Sequence, residues 1–294
     1  MVLSRDDTNT IWQQGSVLTS LLSFYRITPS VLWFFSLCQG HPFMKKTLIP
    51  FCCFVLFAFP PSVAFSQISD EERAEGFVSI FNGQDLAGWE GNPALWRVEN
   101  GVIVGQTTAE GPAHLTYNQF LVWKGGEVDD FVLRFDIKCS NQGNSGMQFR
   151  SWMNPDASRP YSVQGYQADF DGAHAHSGIF YGEGFRNIIL SHRGQEAVFE
   201  PRQGQPKEVR RFAEDATLKN ELKVEDWNAY EVTVKGFTFT NKINGHLMSI
   251  FTDEDTDIRK RSGILAIQVH TGPPMKVEVK NIRIKISNKG VPTE

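Results

Sequence analysis

Side chains in a β-strand alternate between two faces, so the stretch from Asn144 to Asp171, NSGMQFRSWMNPDASRPYSVQGYQADFD, reads as two strands joined by a polar loop. In the first strand Gln148, Arg150 and Trp152 share one face, and Met147 and Phe149 take the other. In the second, Gln167, Asp169 and Asp171 lie opposite the apolar Tyr166, Ala168 and Phe170. One face of an antiparallel sheet is commonly left to solvent. This one offers amides, a guanidinium, carboxylates and an indole, the hydrogen-bonding and stacking set that suits a carbohydrate.

Conventional glycoside hydrolysis needs two carboxyl groups flanking the scissile bond, about 5–5.5 Å apart for retention and roughly 6.5–9.5 Å for inversion. Asp169 and Asp171, two positions apart on one strand, would have Cα atoms about 6.6 Å apart, but both would project from the same side of the sugar. The classical arrangement is therefore not expected. A different general base is available in His270, which ends the row Ile264, Ala266, Gln268, His270, histidine being the side chain suited to accepting a proton near neutrality. Asp169 competes with it for that role. Asp171, His174 and His176 form a possible metal shell in DGAHAHSG, although the spacing is not a specific signature. Asp253, Asp255 and Asp257 do not form a calcium loop, because Ile258 stands where such a loop needs glycine. No cofactor motif is read.

Several blocks carry a resemblance. NSGMQFRS, GYQADFD, SGIFYG at Ser177 to Gly182, FNGQDLAGWE at Phe81 to Glu90 and GILAIQVHTGPPMKVEVKNIRIK at Gly263 to Lys285 together resemble the 3-keto-disaccharide hydrolase family. The resemblance implies a concanavalin A-like lectin/glucanase sandwich with a concave binding sheet, an exported protein, and a 3-keto-glycoside as substrate. It also implies an easier reaction, since a ketone at carbon 3 acidifies the proton on carbon 2. One base then suffices to form an enolate, and the group on carbon 1 leaves by elimination before water adds. In that scheme the catalytic trio is Arg150 on the enolate or neighbouring hydroxyls, with Asp169 and His270 for proton transfer. An ion pair between Arg150 and Asp169 is the structural alternative for the arginine. Gln148, Gln167, Gln268 and Asp171 would hold hydroxyls, and Trp152 or Tyr181 would stack on a sugar ring. A noncatalytic carbohydrate-binding module is the competing expectation, because one fold serves both uses.

The elements around these residues are β throughout. Asn100-Gly101 and Asn244-Gly245 predict tight hairpins, since both central residues of that turn need positive φ. The alternation from Lys276 to Ser287 slips at Asn281, which predicts a bulge. Strands are expected at Phe120 to Trp123, Asp130 to Cys139, Gly146 to Trp152, Ser162 to Phe170, Gly178 to Tyr181, Asn187 to His192 and Gly263 to His270. Glu200 to Glu225 reads as a charged excursion with one short helix. Many short strands punctuated by Gly, Pro and Asn predict an all-β jelly-roll sandwich of two antiparallel sheets.

The 294-residue chain carries a formal charge of −4, which argues against a nucleic-acid partner. Met44-Lys45-Lys46, the apolar run Leu48 to Phe59 and Ala64-Phe65-Ser66 have the order of an export leader cleaved before Gln67. That run falls short of the roughly 20 residues of a spanning helix, so no stable membrane anchor is expected. The expected organisation is a non-native extension over residues 1–43, the leader over 44–66, a lead-in over 67–76, the sandwich over 77–287 and a tail over 288–294. Three of the four cysteines precede the cleavage point. Cys139, left alone, continues the apolar row Phe131, Leu133, Phe135, Ile137 and reads as a core residue.

Overall fold

The computed structural model describes residues 68–287. The expected leader, the segment before it and the tail from Asn288 lie outside them. In chain order the strands are β1 (Val78–Ser79), β2 (Trp89–Glu90), β3 (Trp96–Glu99), β4 (Val102–Gln106), β5 (Gln119–Trp123), β6 (Phe131–Cys139), β7 (Asn144–Met153), β8 (Val163–Asp171), β9 (Phe180–Glu183), β10 (Ile189–Ser191), β11 (Gln195–Phe199), β12 (Lys207–Arg211), β13 (Asn228–Lys235), β14 (Thr238–Ile243), β15 (His246–Asp253), β16 (Ile264–Val269) and β17 (Lys276–Ile286). Two helices of one turn or so, α1 (Asp70–Ala74) and α2 (Asp215–Lys219), complete the set.

These strands form a two-sheet jelly-roll sandwich. The ten-stranded sheet runs β12-β11-β15-β14-β13-β6-β17-β4-β3 with β1 on β17, and the seven-stranded sheet runs β10-β9-β8-β7-β16-β5-β2. Pairing is antiparallel except between β11 and β15, which run parallel. The apolar alternation predicted for β6 and β8 supplies facing rows: Leu133, Phe135 and Ile137 from one sheet, Tyr166, Ala168 and Phe170 from the other, all buried in one core. Edge-on aromatic contacts close the gap between sheets, with Phe149 against Phe239 at 5.1 Å and Tyr166 against Phe239 at 4.8 Å between ring centres. Cys139 sits in this core, and burial pushes its thiol up to about 12.

The turn chemistry acts where it was expected. Asn100 and Gly101 adopt φ of 49° and 81°, and Asn244 and Gly245 adopt 52° and 83°. Asn281 stands at φ 53° where the β17–β6 register shifts, so the slip is a bulge. The charged excursion differs from expectation. It opens with Lys207–Arg211 as an edge strand on β11, itself a strand the sequence reading had not placed, and α2 follows. Charged side chains suit an edge strand because they discourage further pairing.

Candidate functional site

The outer face of the seven-stranded sheet carries a pocket of about 420 Å³. Its walls come from separated parts of the chain. β8 contributes Gln167 and Asp169, and β9 contributes Tyr181 and Glu183. Gln268 lies near the end of β16, with His270 one residue beyond it. Asn118 precedes β5, Asn144 begins β7, His176 comes from the turn after β8, and Ile179, Asn187 and Ile189 complete the lining. Beside it, Phe120, Val122, Val163 and Ala266 form a small second apolar cluster.

A chain of amides crosses the floor. Ser151 Oγ donates to Gln148 Oε1 at 2.6 Å, Gln148 Nε2 to Gln167 Oε1 at 2.7 Å, and Gln167 Nε2 both to Asp169 Oδ1 at 2.7 Å and to Gln268 Oε1 at 3.2 Å. Each link fixes the next amide's orientation, because flipping any one would set donor against donor. The chain ends on Gln268 Nε2, a buried donor with no partner. A buried unsatisfied donor costs on the order of 1–3 kcal/mol and marks a place where a ligand acceptor would be welcome.

Two titratable groups share this space. Asp169 is 5% exposed, and burial lifts its proton affinity well above the usual carboxylate range against the lowering effect of the Gln167 hydrogen bond. Glu183 and Asp171 nearby push in the same direction as burial. His270 bonds through Nδ1 to the Thr271 carbonyl. A carbonyl only accepts, so Nδ1 donates here, and in the neutral ring this places the lone pair on Nε2. Burial, aided by Glu183 and Asp169, raises the Tyr181 phenol above its ordinary range, so it remains a donor. The pocket thus holds a basic imidazole nitrogen, a carboxyl inclined to keep its proton, and an array of neutral donors.

Arg150 does not join them. Strand β7 bulges between Phe149 and Trp152, so the period-two expectation fails at that point. Arg150 takes φ 46° and turns inward, its guanidinium 5.3 Å from the Phe239 ring centre and fully buried. It donates to the Asp129 carbonyl at 3.0 Å and reaches Asp130 at 2.9 Å, not Asp169. Two glycines on the flanking strands leave room for this. A Cβ on Gly165, at φ 147°, would lie 2.6 Å from Ser151 Cα, and one on Gly263 would lie 2.4 Å from the Arg150 carbonyl carbon. Those glycines were the available signal that the alternation breaks here.

Other expected binders are displaced too. Gln148 lies below the pocket as a link in the amide chain. Trp152 donates to Gln164 at 3.2 Å and packs edge-on against Phe185, away from the lining. Asp171 accepts from the backbone of Ala175, His176 and Ser177, which closes the following turn. The metal shell considered for Asp171, His174 and His176 is not assembled. Both ring nitrogens of the buried His174 are engaged, with Ser177 Oγ and the Lys223 carbonyl, and among the described residues no three-ligand cluster is found. Asn118, Asn144, Glu183 and Asn187 were not singled out from sequence, since each lies at a strand end or turn where no periodicity marks it.

The model of the 3-keto-alpha-glucoside-1,2-lyase-like domain matches residues 76–285. The chain belongs to this family. Among solved structures, a candidate glycosyl hydrolase from Parabacteroides distasonis is similar to the chain at 22% identity over 76% of the chain and 99% of its own, with a TM-score of 0.50. The carbohydrate binding module CBM66 from Bacillus subtilis is 15% identical over 67% of the chain and 94% of its own, with a TM-score of 0.42. The likeness to the Parabacteroides distasonis structure speaks to the fold alone. No curated protein matches the chain.

Proposed function

We propose that this lyase-like domain cleaves 3-keto-glycosides by elimination and hydration, with His270 as base and Asp169 as acid. His270 Nε2 takes the proton from carbon 2. Charge then develops on the carbon-3 oxygen, where Gln268 Nε2 is the donor in want of a partner. The bond from carbon 1 to the glycosidic oxygen breaks, and the Asp169 carboxyl protonates the departing oxygen. Water adds its oxygen to carbon 1 of the resulting enone and gives up a proton to the Asp169 carboxylate, while the His270 proton returns to carbon 2, so the free 3-keto sugar leaves with both groups back in their starting states. Neutral donors replace the arginine expected on the enolate.

The observation that carries this reading is that an imidazole with a fixed tautomer, a buried carboxyl with raised proton affinity and an unpartnered amide donor line one pocket. The matched family supports the substrate class. We propose further that the protein acts outside the cytoplasm, as the Met44 leader predicts.

Purified protein should release sugar from a 3-keto-disaccharide and not from its unoxidised parent. In heavy water it should exchange the carbon-2 proton of a 3-keto-glycoside. If no sugar is released or proton exchanged while a glycan array shows binding, the domain is a carbohydrate-binding module instead.

A further inference from the structure

The chain leaves the β16 ladder at Val269 and enters β17 at Lys276. Between these strands few contacts hold it. Met275 is tied at its backbone to Thr107, through the Thr107 hydroxyl at 3.0 Å and the Thr107 N–H at 2.9 Å. Gly272, at φ 126°, has nothing near its Cβ position. Thr271 is held by one side chain, Asn118. Its N–H donates to Asn118 Oδ1 at 3.0 Å, and its hydroxyl reaches the same oxygen at 3.4 Å. The other end of that amide is occupied as well, with Asn118 Nδ2 donating to Glu183 Oε1 at 3.0 Å. The Glu183 bond fixes which way the amide points, so that its oxygen faces Thr271. Thr271 in turn supplies the carbonyl that holds the His270 Nδ1 proton.

We infer that Asn118 is a positioning residue which, by tying Thr271 to Glu183 of β9, selects the His270 tautomer with its lone pair on Nε2. The nitrogen that carries the proton in a neutral imidazole is set by the hydrogen bond made at the other. Here that bond is made to a neighbouring carbonyl in a segment with a glycine next to it, so the choice depends on what restrains Thr271. Asn118 touches the walls of the pocket and acts on the reaction through His270. This rests on His270 being the base.

Two variants separate the parts of the clamp. Asn118→Ala removes the bonds to Thr271 and the bond to Glu183. Asn118→Asp keeps the acceptor for Thr271 and sets a second carboxyl against Glu183. Nitrogen-15 NMR of the His270 ring reads the tautomer without reference to turnover. In Asn118→Ala the Nδ1-protonated signature should give way to a mixture, with kcat on a 3-keto-disaccharide falling on the order of 10–100-fold and KM changing far less, as expected for a misplaced base. In Asn118→Asp the wild-type signature should persist.

An unchanged tautomer in Asn118→Ala would overturn the inference. So would equal scrambling in both variants, since the Glu183 bond and not Thr271 would then be the determinant. If His270→Ala instead keeps the full rate, the base assignment fails, and the tautomer result still reports whether the clamp exists.

Discussion

Gln167 stands directly against Asp169, its Nε2 at 2.7 Å from Oδ1, and the same nitrogen reaches Gln268. Among the described residues, the side-chain hydrogen bond to this carboxyl group comes from a neutral amide, and no ion pair to it is found. Burial without a counter-charge inclines the Asp169 carboxyl to keep its proton, and the amide row behind it ends on the unpartnered Gln268 Nε2.

Asp169→Asn should separate stability from activity. Folding raises the proton affinity of this carboxyl, so the stability its protonation confers is complete below the unfolded value of about 3.9 and is lost as pH rises through the elevated folded value. An asparagine does not titrate there. The Tm of the variant relative to wild type should be near zero at pH 4 and grow in the variant's favour toward pH 8, while turnover falls by about 10²–10⁴-fold. A difference in Tm that stays flat with pH would argue against a raised proton affinity.

His270→Ala and Gln268→Leu should differ in kind. Loss of the base should lower kcat by about 10²–10⁴-fold and abolish carbon-2 proton exchange. Loss of the Gln268 donor should cost about 10²–10³-fold in kcat and leave ground-state binding of the unoxidised disaccharide nearly intact. Calorimetric titration beside single-turnover kinetics would separate the two.

Arg150→Met should injure the fold and not the chemistry. The substitution takes from Asp129 and Asp130 the buried Arg150 guanidinium, which they share with Arg261, at a cost of about 3 kcal/mol for breaking a buried pair. Urea unfolding should show that loss, and kcat per folded molecule should stay within about twofold. A large fall in kcat with unchanged stability would return Arg150 to the enolate.

Cys139 should be inert in the native protein. Its thiol is buried and lifted to about 12, so the thiolate needed for alkylation is scarce at neutral pH. Iodoacetamide should label it at the rate of global unfolding, measured against hydrogen exchange in β6.

The sequence by itself determined the all-β architecture, the two Asn-Gly hairpins, the Asn281 bulge, the core place of Cys139 and the alternation along β8. Each of these follows from local rules, namely period-two burial and the φ demands of a turn, which act over a few residues. The inward turn of Arg150 could have been suspected only from Gly165 and Gly263, which are remote in sequence and become neighbours of the bulge through strand pairing. Tertiary structure alone decided which side chains meet. Asn118, Asp169, Glu183 and His270 come from four strand ends or strands brought side by side in one sheet, and a pocket built from cross-strand order has no period along the chain. The Nδ1 bond of His270 and the raised proton affinity of Asp169 belong there as well, since they depend on a neighbouring carbonyl and on burial that exist only after the sheets have packed.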